Sequence, residues 1–192
     1  MALAVAYSEA FINLVLQHMN IRYNAVTRLI HWLTAILVVA TFILGPEDLD
    51  EAENLGGDWS VQAHETLGLI VLGLSVFRII WRLFFQPRLH IPMSAIMSIS
   101  AKMLQAALYF LLLAVPLTAV FGIWLNGDTL NLVRNTTIMS PFTTMKTTGE
   151  LLLYLHPVLA DLLMWLAGAH AGAALFHHYI LKDTVLKSMM SK

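Results

Sequence analysis

Four long apolar stretches constrain this chain more than any other feature of its sequence. They run from about residue 29 to 44, 61 to 85, 101 to 125 and 151 to 181. A helix needs about 20 apolar residues to cross a bilayer. The first stretch is short alone, so its helix is expected to begin near Asn24, with Arg28 in its opening turns. Composition agrees: 58% of the 192 residues are hydrophobic and only 12% are charged. A soluble domain carries about 25% charged residues. The expected fold is an all-α integral membrane protein, a four-transmembrane-helix bundle with helices at about 24–44, 61–85, 101–125 and 151–181.

Charge placement orients the bundle. Of eleven Lys and Arg residues, only Arg134 and Lys146 fall between the third and fourth helices. The other nine precede the first helix, lie between the second and third, or follow the fourth. Basic residues gather on the cytoplasmic side of membrane proteins, so both termini are expected there. The loop "GPEDLDEAENLGGDWS" holds six acids and no base, as an external loop can. Residues 1–20 lack a basic leader and a convincing cleavage site. They are read as an N-terminal extension of unknown role before a single domain at 21–192. Without cysteine there are no disulfides, thiolate metal sites or covalent haem attachment. A net charge of −1 and the absence of a basic, aromatic-studded stripe give no nucleic-acid signal.

Histidines in such segments demand a reason, because intramembrane ionisable groups are costly unless partnered. The stretch "HPVLADLLMWLAGAH" begins with His156 and ends with His170. Fourteen helical residues return a side chain to within about 40° of its first direction and move it roughly 21 Å along the axis. Both histidines therefore share a face, one near each leaflet. His31 sits early in the first helix, on the cytoplasmic side, and His64 early in the second, which starts outside. Topology thus gives two level pairs: His31 with His170 inside, and His64 with His156 outside. Neutral imidazole ligates haem iron axially, so two bis-histidine sites for non-covalent haem b are the expectation. The alternative is a set of satisfied core histidines. "LAGAHAGAAL" around His170 would let a flat group lie close to the backbone, although such runs also serve ordinary helix packing.

The segments "RYNAVTRLIHWLTAILV", "HETLGLIVLGLSVFRIIWRL", "LYFLLLAVPLTAVFG" and "GAHAGAALFHHYILKDTVLKSMM" resemble the bacterial cytochrome b561 family. The resemblance covers about residues 22 to 190. It implies a four-helix dihaem protein of the cytoplasmic (inner) membrane whose axial ligands fall on His31, His64, His156 and His170. It also implies electron exchange with membrane quinone, from or to an unknown external donor. One type in the family oxidises superoxide outside and reduces ubiquinone, making a quinone-linked oxidoreductase of this kind an expectation too. Against superoxide stands the acidic loop Glu47–Glu53, which would repel an anion. A membrane-anchoring cytochrome b subunit of a dehydrogenase or hydrogenase is the alternative.

Two positions depart from the family pattern. Pro157 follows His156, and proline disfavours helix in the residue before it, so a kink or restart is expected there. Gln105 stands where the family commonly has a histidine, which puts a family-type proton or quinone role at that position in doubt. His177, seven residues past His170, is the rival inner ligand. His178 and Lys182 either border a quinone head group or anchor the interface. Arg28, three positions before His31, is read as a partner for a haem propionate through forked hydrogen bonds. Arg78 and Arg82 are read as topology markers. Asp161 is a candidate for orienting an axial histidine or for a water-facing role, and Glu65 is read as an exposed first-turn acid. His18 and His90 are read as surface residues, and Trp32, Trp59, Trp124 and Tyr179 as interfacial anchors.

Overall fold

The structure is a computed structural model that describes residues 23–46, 59–85 and 94–190. The extension at 1–20, the acids of the loop at 47–53, and His18 and His90 lie outside the described residues. Four helices carry the architecture: α1 (Ala25–Leu44), α2 (Trp59–Phe85), α3 (Ala95–Asn126) and α4 (Lys146–Phe176). Each is long and apolar enough to span a membrane.

Local chemistry sets the helix ends. Asn24 caps α1, its side chain accepting from the Thr27 N–H at 2.8 Å. Gly45 and Pro46 stop the same helix, with the Gly45 N–H turned back to the Phe42 carbonyl at 3.2 Å. α3 ends in a left-handed residue, Gly127 at φ 102°. There the Gly127 and Asp128 N–H groups close onto the Trp124 and Ile123 carbonyls at 3.3 and 3.1 Å. α3 and α4 each begin about five residues before their apolar stretch. The first turn of α4, "KTTGE", is helical but too polar to be counted as membrane-crossing from hydropathy.

α4 runs as one helix through Pro157, so the chain does not restart there. Proline removes one ladder donor, a loss that neighbouring helices absorb in membrane proteins. The neighbour here is α3, whose pairing with α4 is the most extensive in the molecule. A Cβ on Gly149 would come within 2.4 Å of the Asn126 backbone nitrogen, and one on Gly122 within 2.9 Å of Leu153 Cγ. Glycine at both positions lets the two backbones close. α1 packs on α2 and α2 on α3, whereas α1 and α4 are not closely packed backbone to backbone. The core lies at mid-bundle, where Val71, Leu111, Leu112 and Leu163 are buried together. Large apolar side chains such as Leu29, Ile36, Phe84, Phe110 and Trp165 are exposed outward, as suits a surface whose solvent is lipid.

The two ends of the bundle differ. At one end α3 leads into an antiparallel hairpin, β1 (Leu130–Leu132) with β2 (Thr136–Ile138), whose turn holds Arg134 at φ 65°. The hairpin was not anticipated from the sequence, because its strands are three residues long and sit between helices. At the other end the approach to α1 meets the segment that follows α4. The Tyr23 N–H donates to the Ser188 carbonyl at 3.1 Å, and Trp32 Nε1 donates to the Met189 carbonyl at 2.9 Å.

Candidate functional site

The four histidines form two pairs, one toward each end of the bundle. Toward the hairpin end, the rings of His64 (α2) and His156 (α4) have centres 6.0 Å apart and planes at 90°. Toward the terminal end, His31 (α1) and His170 (α4) have ring centres 6.3 Å apart and planes at 78°. These are the pairs that helix direction alone selects.

The separations test whether the residues fit a haem iron. A metal–imidazole bond is about 2.0–2.1 Å long, and about 1.1 Å more reaches the ring centre. Two imidazoles on opposite sides of one metal therefore have centres about 6.2 Å apart. Both pairs match. Direct contact of two rings by stacking or hydrogen bonding does not require this distance at both ends at once.

The second ring nitrogens carry the finer design. His64 Nδ1 lies 2.8 Å from the Thr41 carbonyl, and His156 Nδ1 lies 2.9 Å from the Val115 carbonyl. A carbonyl only accepts, so each Nδ1 carries the proton and donates it, leaving Nε2 with its lone pair for a metal. The Thr41 acceptor follows from the helix stop. The last four carbonyls of a helix have no partner inside it, and ending α1 at Leu44 puts Thr41 among them. Gly45 completes the arrangement, since a Cβ there would lie 3.2 Å from His64 Cε1 and 3.3 Å from Nδ1.

The terminal-end pair is held differently. Arg78 Nη2 lies 3.1 Å from His31 Nδ1, so a guanidinium stands where the other pair has carbonyls. Arg78 and Arg82 both lie over the Tyr109 ring, each 5.2 Å from its centre. Arg28 lines an outward cleft of about 270 Å3 with Ala25, Leu29, Trp32 and Met189. The guanidinium beside His31 therefore belongs to Arg78, which sequence reasoning had read as a topology marker. His177 pairs with Asp183 through Nδ1, and the imidazole facing His31 is that of His170. Gly168 and Gly172 do not line this site: a helical step of two residues turns them roughly 160° from His170. A Cβ on either would meet nothing within 4 Å.

Other readings shift as well. Glu65 is half-buried rather than exposed. Its carboxylate accepts the Asn131 N–H, and Thr66 Oγ1 accepts the Val133 N–H at 3.1 Å. Together they tie the hairpin to the first turns of α2, beside His64. Asp161 orients no histidine, since the Val115 carbonyl holds His156, and Asp161 itself is exposed on α4. His178 stacks edge-on with Tyr179, ring centres 4.8 Å apart, and its Nδ1 is buried without a partner. Gln105 is half-buried on α3.

The Thr41 and Val115 carbonyls, Gly45 and the Arg78 contact escaped the sequence reading. Only the Gly45-Pro46 stop, four residues past Thr41, signalled any of them.

Comparison with known proteins gives an independent view. The family model described as prokaryotic cytochrome b561 matches residues 22–192. Cytochrome b561 homolog 2 of Escherichia coli (strain K12) is 27% identical over 175 residues, covering 89% of this chain and 92% of that protein. Cytochrome b561 homolog 1 of the same organism is 28% identical over 176 residues, covering 89% and 98%. A protein of Yersinia pestis named Probable superoxide oxidase CybB is 28% identical over 178 residues, covering 91% and 98%.

Proposed function

The chain belongs to the prokaryotic cytochrome b561 family, membrane electron carriers that bind haem b, and on that footing we propose that it holds two haems and exchanges electrons with membrane quinone. One observation carries the reading: two imidazole pairs, at opposite ends of one bundle, whose ring centres stand 6.0 and 6.3 Å apart. His64 and His156 would hold one haem toward the hairpin end, and His31 and His170 the other toward the terminal end. Bound haem b supplies a one-electron ferric–ferrous couple.

The chain's own residues do the rest. The Thr41 and Val115 carbonyls fix the tautomer and direction of the hairpin-end ligands. The hairpin, tied down by Glu65 and Thr66, caps that site. α4 runs unbroken between the pairs and sets their stagger at roughly 21 Å along its axis. Held by two imidazoles, a bound haem would offer no position for a substrate, so the chemistry it would supply is electron transfer.

Of the eight basic residues among the described ones, six lie toward the terminal end and two, Arg134 and Lys146, toward the hairpin end, which supports a cytoplasmic terminal end and a hairpin outside the cytoplasmic membrane. The donor therefore reacts at the hairpin face. Superoxide is the first to test, because one relative is named Probable superoxide oxidase. Two superoxide anions, each leaving as dioxygen, give two electrons; with two protons these reduce quinone to quinol.

The test is a pyridine haemochrome count on detergent-purified protein, followed by quinone reduction on adding superoxide. Two haems per chain are expected, falling to one in either His156→Ala or His170→Ala. One haem or none in the unaltered chain overturns the reading. A soluble subunit that co-purifies in fixed ratio would point instead to an anchoring cytochrome.

A further inference from the structure

The two sites are built with opposite polarity around their ligands. At the hairpin end both imidazoles give their Nδ1 proton to a backbone carbonyl, at 2.8 and 2.9 Å. Such bonds make the ring a stronger electron donor to a metal on Nε2, and that favours the ferric state. At the terminal end His31 faces Arg78 at 3.1 Å. A guanidinium carries five donors, no acceptor and a permanent positive charge. An imidazole that ligates through Nε2 keeps its proton on Nδ1 and cannot accept from a guanidinium, so Arg78 acts on this site by its charge, which disfavours added positive charge at the metal.

Arg78 is fixed in this place. It is half-buried on α2, and its guanidinium lies over Tyr109 of α3 at 5.2 Å. Arg82, one turn further, flanks the same ring at 5.2 Å. Among the described residues neither arginine has a carboxylate partner; the one ion pair there is His177 with Asp183. The positive charge beside His31 is therefore uncompensated by the protein. Local charge is one of the means by which a protein sets a haem potential, and here it favours the ferrous state.

We infer that Arg78 makes the terminal-end site the higher-potential of the two, so that a single electron shared between them rests beside His31 and His170. Arg78 is a tuning residue, acting on the site by the charge it places beside His31. The fold thereby carries its own direction, downhill from the hairpin face toward the terminal face. The inference rests on the dihaem reading and adds to it an order of potentials that ligand identity alone does not give, since all four ligands are histidine.

The experiment separates the two. Haem is counted first, and fewer than two per chain removes the dihaem reading and this inference with it. With two haems present, optical redox titration should resolve two midpoints. Arg78→Gln should shift the higher one toward the ferric state by at least tenfold in the one-electron equilibrium, about 59 mV, and leave the lower one in place. Arg78→Lys, which keeps the charge, should restore most of that shift. A merely structural role would move haem content, not one midpoint selectively. Equal movement of both midpoints, or of neither, overturns the assignment.

A second readout needs no change at Arg78, should that variant lose haem. The chain has no cysteine, so Thr137→Cys, exposed on β2, takes a single nitroxide label near the hairpin-end pair. In protein poised at one electron per two haems, the label should relax nearly as fast as in fully oxidised protein, because the neighbouring site stays ferric. Relaxation at the fully reduced rate would reverse the order and refute the inference.

Discussion

Gly45→Ala isolates one site by a contact measured in tenths of an ångström. Gly45 has φ −67° and ψ 142°, a conformation any residue adopts, so alanine brings no backbone strain. Its Cβ would lie 3.2 Å from His64 Cε1 and 3.3 Å from Nδ1. Carbon atoms rest at about 3.5–4.0 Å, so the ring must retreat by roughly 0.3 Å or more. Retreat from Gly45 is also retreat from Thr41 on the same helix end. The Nδ1–carbonyl bond, now 2.8 Å, would move to the long edge of the normal range of about 2.7–3.2 Å. Weakening by about half a bond worth about 0.5–1.5 kcal/mol lowers haem affinity by roughly two- to threefold at about 1.4 kcal/mol per decade. The assay is transfer of haem from detergent-purified protein to an excess of a high-affinity apo-acceptor, followed as two phases. One phase should quicken by that factor while the other keeps its rate. Two unchanged phases, or a change confined to the phase that His170→Ala removes, would refute the link between Gly45 and His64.

Gly149→Ala should be far more damaging, because its Cβ would fall 2.4 Å from the Asn126 nitrogen and backbone cannot step aside. Separation of α3 from α4 should cost more than about 3 kcal/mol, as overpacking of a tight core does at its upper end, and be read as a large drop in melting temperature and loss of both haems. Gly172→Ala serves as the contrast: its Cβ meets nothing within 4 Å, and replacing glycine inside a helix should stabilise by about 0.8–1 kcal/mol with haem content unchanged. Thr66→Val removes the acceptor of the Val133 N–H and should free the hairpin at a cost of about 1 kcal/mol. The change should appear as faster proteolysis or amide exchange across residues 130–138, with the terminal-end site unaffected.

The helices, their order and the pairing of the four histidines were readable because each depends on quantities that survive in one dimension. Hydropathy fixes which segments enter the bilayer. Alternating direction then decides which histidines share a level, and a fourteen-residue step keeps His156 and His170 on one face whether or not a proline lies between. Pro157 does not restart α4, because its cost is local, one missing donor and a biased neighbour, while the α3–α4 packing that carries the helix is tertiary. Gly122 and Gly149 create that contact, and nothing in the sequence separates them from Gly168 and Gly172, which touch nothing. Small residues beside a ligand suggested a cradle; helical phase places those two on the opposite side.

The supports of the two sites differ in how they respond to mutation. Thr41 and Val115 hold their histidines through backbone carbonyls, which no substitution removes and no side-chain motif records. The hairpin-end site can therefore be disturbed only indirectly, through Gly45 or the helix stop that leaves the Thr41 carbonyl available. Arg78 reaches His31 by a side chain, and one codon change alters the charge there. Sequence drift among relatives sharing all four histidines should thus leave the hairpin-end ligand geometry nearly constant while tuning the terminal-end site. Potentials measured across chains that differ at the position of Arg78 would test this: the lower midpoint should cluster and the higher one should spread with the charge found there.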